Sequence, residues 1–286
     1  MPTYTEMINA SLKELAAALA KKDISSVELA TLFLDRIGKL NPTLNAFITV
    51  APPGEGPQGK GHLMGIPIAV KDLYDTKGIR TTGGSKFFWD RIPTEDAFVV
   101  EKIKDSGGII IGKTNTHEIA LGVTNNNPHF GACLNPWDTT RTPGGSSGGS
   151  AVAVATGMAS AALGTDTGGS IRIPAALCGV VGLKPTYGRI SLRGVLPLSW
   201  TLPGDFSSHM RDSIRDRKVI FATGSFIEEV SDPEVLSAVK KAADALSDQG
   251  AVVAEMNMDF LREAALANAV MTQADAAAFH QERLQE

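Results

Sequence analysis

Two short runs of this chain, IPIAVKD (66–72) and GIIIG (108–112), are apolar at consecutive positions instead of every second one. A strand with one face in water alternates, whereas a strand covered on both faces has no polar side to keep. Between the two runs, residues 95–106 carry a short helical pattern. Strand, helix, strand, with both strands covered twice, is satisfied by parallel strands packed between helices. Further strand candidates are ASAALGTD (159–166), KVIFAT (218–223) and AVVAEM (251–256). The chain therefore reads as an α/β fold with a central mixed, largely parallel sheet flanked by helices.

The helical signals are local and specific. Ser11-x-x-Glu14 and Ser25-x-x-Glu28 are capping boxes, each followed by apolar residues on one helical face. The second run is expected to stop at Asn41-Pro42. SAVAVATG (150–157) is small and apolar all round, as a fully buried helix would be. Asp232-Pro233 begins another helix with an N-cap and a proline at its first position, running to Gly250, and 260–285 is strongly helical. Residues 51–61 are a loop by composition, and 122–150 form a long irregular stretch, which in a folded domain often carries function. We read residues 1–286 as a single domain, with an N-terminal helical segment (1–50), a core (62–205) and a C-terminal α/β part (217–286).

Several function classes are disfavoured. A net charge of −4 leaves no footprint for nucleic acid or an anionic membrane. The N-terminus lacks the charged start, apolar run and cleavage site of a signal peptide, and no apolar run reaches membrane-spanning length. A cytoplasmic location is expected. Cys133 and Cys178 form no disulfide framework, and no zinc-ligand spacing occurs, so neither metal nor cofactor is expected.

Four features bear on chemistry. Gly107-x-x-x-x-Gly112-Lys113-Thr114 fits a phosphate loop by pattern, but Ile109–Ile111 inside it are the strand itself, where a flexible cradle would be required. Gly144-Gly145-Ser146-Ser147-Gly148 satisfies the nucleophile-elbow pattern, yet only His209 and His280 lie downstream, and neither sits in a context that presents a base. Lys71 ends an apolar strand, where ligands of open α/β sheets gather; there it is either a snorkelling surface residue or a desolvated, neutral base. Ser170 closes GTDTGGS, where it is either a helix cap or a nucleophile set among exposed backbone N–H groups. Asp166 and Arg172 flank that loop with opposite charges that can pair and stiffen it.

Taken together, GIPIAVKD, NPWDTTRTPGGSSGGSA, LGTDTGGSIRIPAALCGVVGLKPTYGRIS and PLSWTL, in that order, resemble the amidase signature family from about residue 11 onward. The resemblance implies a Ser-Ser-Lys triad with Ser170 as nucleophile, Ser146 as bridging serine in a cis peptide and Lys71 as base. It implies an oxyanion hole from the N–H groups of Thr167, Gly168, Gly169 and Ser170. Ser147, Asp166 and Arg172 fall on supporting positions. Family members are longer, and two segments here, 51–61 and 200–220, are shorter than their counterparts. The implied activity is hydrolysis of a small-molecule carboxamide, or an ester, through an acyl-enzyme, by a stand-alone enzyme for which a homodimer is compatible. The alternatives are the glutaminase A subunit of the tRNA-dependent amidotransferase, which the N-terminal segment resembles, and a catalytically weak remnant that binds or oligomerises.

Overall fold

The computed structural model describes residues 4–52, 61–198, 216, 218–264, 267, 270–271 and 273–274. They fall into two compact units, one within Met1–Phe206 and the other within Ser207–Ala274. The first opens with helices α1 (Tyr4–Asn9), α2 (Leu12–Lys21) and α3 (Ser26–Leu44). Both predicted capping boxes form: Ser11 and Ser25 accept from the N–H of Glu14 and Glu28, whose carboxylates reach back. Helix α3 does not stop at Asn41-Pro42 as its sequence predicts. Pro42 lies in the last turn, where its missing N–H costs one intrahelical bond, and the helix ends at Asn45, which turns left-handed at φ 50°. Asn41 is instead a tether: its side chain donates to the Phe47 carbonyl and accepts from the Phe47 N–H, at 3.1 and 2.7 Å.

Strands β1 (Phe47–Val50) and β2 (Pro67–Lys71), helix α4 (Phe98–Asp105) and strand β3 (Ile109–Thr114) follow. A hairpin of two-residue strands, β4 (Asn126–Asn127) and β5 (Gly131–Ala132), interrupts the irregular stretch. Then come α5 (Gly148–Ala155), β6 (Ala161–Leu163) and α6 (Arg172–Cys178). The main sheet has the order β1-β3-β2-β6, with β2 parallel to both neighbours and β1 antiparallel to β3. Every residue of β2 and β3 is buried, as two covered faces require. On one side Ala69, Ile109 and Ile111 pack with Phe33, Ile37 and Val152; on the other Ile68, Val70 and Ile110 pack with Val100 and Ile103 of α4. The phosphate-loop pattern lies inside β3, with Lys113 wholly buried, so it cradles nothing.

The second unit contains β7 (Lys218–Thr223), α7 (Ser225–Val230), α8 (Pro233–Asp248) and β8 (Val252–Asn257). β7 and β8 pair in parallel, and Asp232 caps α8 through the Glu234 N–H with proline at the first position, as the sequence predicts. Helix α7 carries no strong sequence signal: its N-cap position is Gly224, with no side-chain cap. The loop reading of 51–61, the helix over 260–285, His209, His280 and the 199–202 part of PLSWTL lie largely or wholly outside the described residues. No helix among the described residues is long and apolar enough to cross a membrane.

Candidate active site

Lys71 is the last residue of β2, and parallel pairing brings it level with the ends of β3 and β6, so three strand ends meet there. Its side chain is 0% exposed. The amine Nζ lies 2.7 Å from Ser146 Oγ, 2.9 Å from Ser147 Oγ and 2.8 Å from Thr165 Oγ1. Burial drives its pKa well below the usual lysine range, against an upward pull from the Asp166 carboxylate. The snorkelling reading is thereby replaced by a desolvated amine among three hydroxyls.

The two serines sit at the entrance to α5, whose first N–H, that of Gly148, is capped not by Ser147 but by Asn125 Oδ1 at 3.0 Å. The Gly145–Ser146 peptide is cis, and the Ser146 carbonyl accepts from the His117 N–H at 3.2 Å. Ser147 Oγ is committed on both sides: it donates to the Thr165 carbonyl at 3.1 Å and accepts from the Thr165 N–H at 3.2 Å. Its own backbone N–H donates to the Ser170 carbonyl at 3.1 Å, tying the two serine-bearing segments together. Ser170 is 8% exposed, on the loop between β6 and α6.

That loop is wound around Asp166. One carboxylate oxygen accepts from the Gly169 N–H at 2.8 Å and from Arg172 Nη2 at 2.9 Å. The other accepts from the backbone N–H groups of Ile171 and Arg172, at 3.2 and 3.3 Å, and from Arg172 Nε at 3.0 Å. Burial raises the carboxyl pKa, but the Arg172 and backbone bonds outweigh it and hold Asp166 below its ordinary value. The anticipated ion pair thus exists, with a consequence for the anticipated oxyanion donors. The Gly169 N–H, in a backbone of φ 129°, already serves Asp166, whereas those of Thr167, Gly168 and Ser170 have no acceptor among the described residues. Asp166→Asn should cost about 2 kcal/mol in urea unfolding, because it puts an amide donor against a shell of donors. Arg172→Ala should cost less than about 1 kcal/mol, since its side chain is 55% exposed.

Sequence reasoning missed Thr165, which touches the amine directly, and the buried pair Asp72–Lys113 beside it. Lys113 Nζ donates to the Tyr74 carbonyl and Thr81 Oγ1, both at 2.6 Å, and lies 3.6 Å from Asp72. Asp72 accepts from the N–H and hydroxyl of Thr82, at 2.9 and 2.5 Å. Burial pushes Lys113 down to about 8 and Asp72 upward, each restrained by the other. The signal available was a second lysine ending a second apolar strand, read only as a failed phosphate loop. Cys133 and Cys178 are buried free thiols.

The family described as Amidase matches residues 28–221. The A subunit of the glutamyl-tRNA(Gln) amidotransferase of Azoarcus sp. (strain BH72) is 50% identical over 219 residues, covering 72% of this chain and 45% of that protein. Its counterpart in Aromatoleum aromaticum is 53% identical over 207 residues, covering 68% of this chain and 42% of that protein. The matched segment is therefore less than half of either relative's length. Among solved structures, the A subunit of the glutamyl-tRNA(Gln) amidotransferase of Thermotoga maritima superposes with a TM-score of 0.79 at 33% identity, covering 95% of this chain and 66% of that one. Sequence match and backbone superposition agree, and the chain belongs to the amidase family.

Proposed function

We propose that this chain hydrolyses a carboxamide through a Ser170–Ser146–Lys71 relay, and that its substrate is the side-chain amide of glutamine, cleaved as the A subunit of a tRNA-dependent amidotransferase. The observation that carries the relay is the buried Lys71 amine 2.7 Å from Ser146 Oγ. A neutral amine has two N–H donors and one lone pair. Ser147 Oγ spends its proton on the Thr165 carbonyl, so towards Lys71 it only accepts. The lone pair then faces Ser146 or Thr165, and of these Ser146 is the hydroxyl that the relay joins to Ser170. Ser146 gives its proton to Lys71 as it takes one from Ser170, whose oxygen attacks the amide carbon. The new ammonium can donate to all three hydroxyl oxygens without moving.

The N–H groups of Thr167, Gly168 and Ser170, without an acceptor among the described residues, are the proposed donors to the tetrahedral oxyanion, with Gly169 serving Asp166 instead. As the C–N bond breaks, Lys71 returns its proton through Ser146 to the departing nitrogen, and ammonia leaves. Water then attacks the acyl-enzyme by the same relay, and the carboxylate is released. Asp166 and Ser147 hold the geometry and react with nothing.

The sequence alone favours a stand-alone amidase. Relatives at 50% and 53% identity that bear the name of the amidotransferase A subunit shift the balance to that reading. The test is ammonia release from glutamine and from aliphatic and aryl carboxamides, by the chain alone and with the partner subunits. Release from glutamine, lost to background in Ser170→Ala, is the expected result. Release from simple carboxamides but never from glutamine returns the assignment to a stand-alone enzyme. A folded protein that turns over no amide in either setting overturns the relay.

A further inference from the structure

Tyr74 stands three residues past Lys71, buried among Val70, Val100 and Ile103. Three bonds fix it. Its N–H reaches the Lys71 carbonyl at 3.1 Å, its carbonyl accepts from Lys113 Nζ at 2.6 Å, and its hydroxyl donates to the Gly164 carbonyl at 2.6 Å. Pairing between β2 and β6 ends at Val70↔Leu163, so the Gly164 carbonyl lies just beyond the ladder. The next residue is Thr165, whose Oγ1 lies 2.8 Å from Lys71 Nζ. The far side of Gly164 is also tightly walled: a Cβ there would fall 2.9 Å from both Ser147 Oγ and Ile171 Cγ1. Burial raises the phenol pKa, so the hydroxyl stays a neutral donor across the working range.

We propose that Tyr74 is a positioning residue for Lys71: its hydroxyl pins the Gly164 carbonyl and thereby holds Thr165 Oγ1 against the amine. This rests on the relay described above. The ammonium form of Lys71 needs three acceptors, and Thr165 is one of them. Loosening Thr165 costs the charged form a charge-assisted bond and the neutral form only a weaker one. Lys71 then becomes a weaker base. The other groups facing it are Ser146 and Ser147 from the start of α5 and Asp166 from the Ser170 loop, with His117 after β3 in electrostatic reach. Asp72, next in the chain, is occupied by Thr82 and Lys113. The Tyr74 hydroxyl, bonded to the Gly164 carbonyl, bonds to none of these side chains.

Tyr74→Phe in the full chain removes one oxygen and keeps the ring. The expected result is a kcat lowered ~3–10-fold with KM unchanged, the scale of one buried hydrogen bond. The acid limb of kcat/KM should move to lower pH by roughly 0.3–1 unit, in line with a lost bond to the charged form. A readout without turnover is the Lys71 Cε resonance in 13C-lysine-labelled protein, assigned by its disappearance in Lys71→Met. Its titration midpoint should fall by the same amount. A midpoint that does not move overturns the proposal, whatever happens to the rate. If the wild-type chain releases no ammonia from any amide, the relay fails, while the resonance still decides the role of Tyr74.

Discussion

Lys71→Met is expected to lower amide hydrolysis by about 10⁴-fold, the scale seen when a member of a concerted catalytic set is deleted. Methionine matches the length and burial of the lysine stem, so the loss lies in the chemistry and not in a cavity. The hydroxyls of Ser146, Ser147 and Thr165 are left facing a thioether. Ser147 keeps its bonds to Thr165, but in the proposed relay Ser146 then has no acceptor for its proton. Ser170 is then a plain alcohol. Single-turnover acylation, not only steady-state rate, should fall, because the proton must move before the acyl-enzyme exists.

The same substitution has a signature in stability against pH. The ordinary lysine pKa is 10.5, and burial holds that of folded Lys71 well below it. Between those two values the unfolded chain binds the proton and the folded chain does not, so wild-type stability rises with pH across that window. Its contribution is complete above 10.5 and is lost as pH falls toward the folded value. Lys71→Met has no such proton. Its stability relative to wild type should therefore grow as pH is lowered from about 10, by up to about 1.4 kcal/mol per unit. Other titrating groups, Lys113 and Asp72 among them, are common to both proteins and cancel to first order. Urea unfolding of the two at several pH values measures the slope. A difference independent of pH would mean that Lys71 is charged when folded. For the proposed relay the sign is the same: the rate should rise as Lys71 loses its proton and fall as pH drops through its depressed pKa.

What could be read in advance follows from which interactions are local. The covered strands β2 and β3 were legible because two buried faces leave a mark on consecutive residues. The two capping boxes were legible because four consecutive residues contain the whole interaction. The end of α3 was misread because a proline near a C-terminus costs one bond, which tethering of Asn41 to Phe47 offsets. At the site, motif order alone makes Lys71, Ser146 and Ser170 the candidates. It does not supply the hydrogen-bond assignment. That Thr165 completes the shell of the amine depends on the register of β6 against β2, 94 residues away in sequence. That the Gly169 N–H is taken by Asp166 depends on how the loop folds over its own carboxylate. A glycine pair announces freedom of backbone, not the direction in which an N–H points.

Gly149→Ala should be the most damaging single methyl group in the described part of the chain, although alanine is the better helix former. At an exposed helical position the exchange gains up to about 1 kcal/mol. Gly38, inside α3, is such a place: a Cβ there meets nothing within 4 Å, and Gly38→Ala should stabilise by about 0.5–1 kcal/mol. Gly149 is in the first turn of α5, and a Cβ there would fall 2.4 Å from the Ala46 carbonyl oxygen. It would also lie 2.5 and 2.6 Å from the Asn115 amide nitrogen and carbonyl oxygen. All three atoms are backbone, so no side chain can swing aside. They are also bonded to one another and to the glycine: the Asn115 N–H donates to Ala46 at 2.8 Å, and the Gly149 N–H donates to Asn115 at 3.2 Å. Relief requires α5 to back away from the ends of β1 and β3, breaking that chain of bonds and moving Ser146 off the Lys71 amine. The expected loss is roughly 4 kcal/mol or more, enough to consume most of an ordinary domain's margin, with insoluble expression as its practical form. Comparing Tm and soluble yield for Gly38→Ala and Gly149→Ala tests the claim with one chemical change and two opposite signs. A Gly149→Ala protein that stayed soluble, melted near the wild-type temperature and kept its activity would show that α5 is not seated on the strand ends, and the geometry assigned to Ser146 would fall with it.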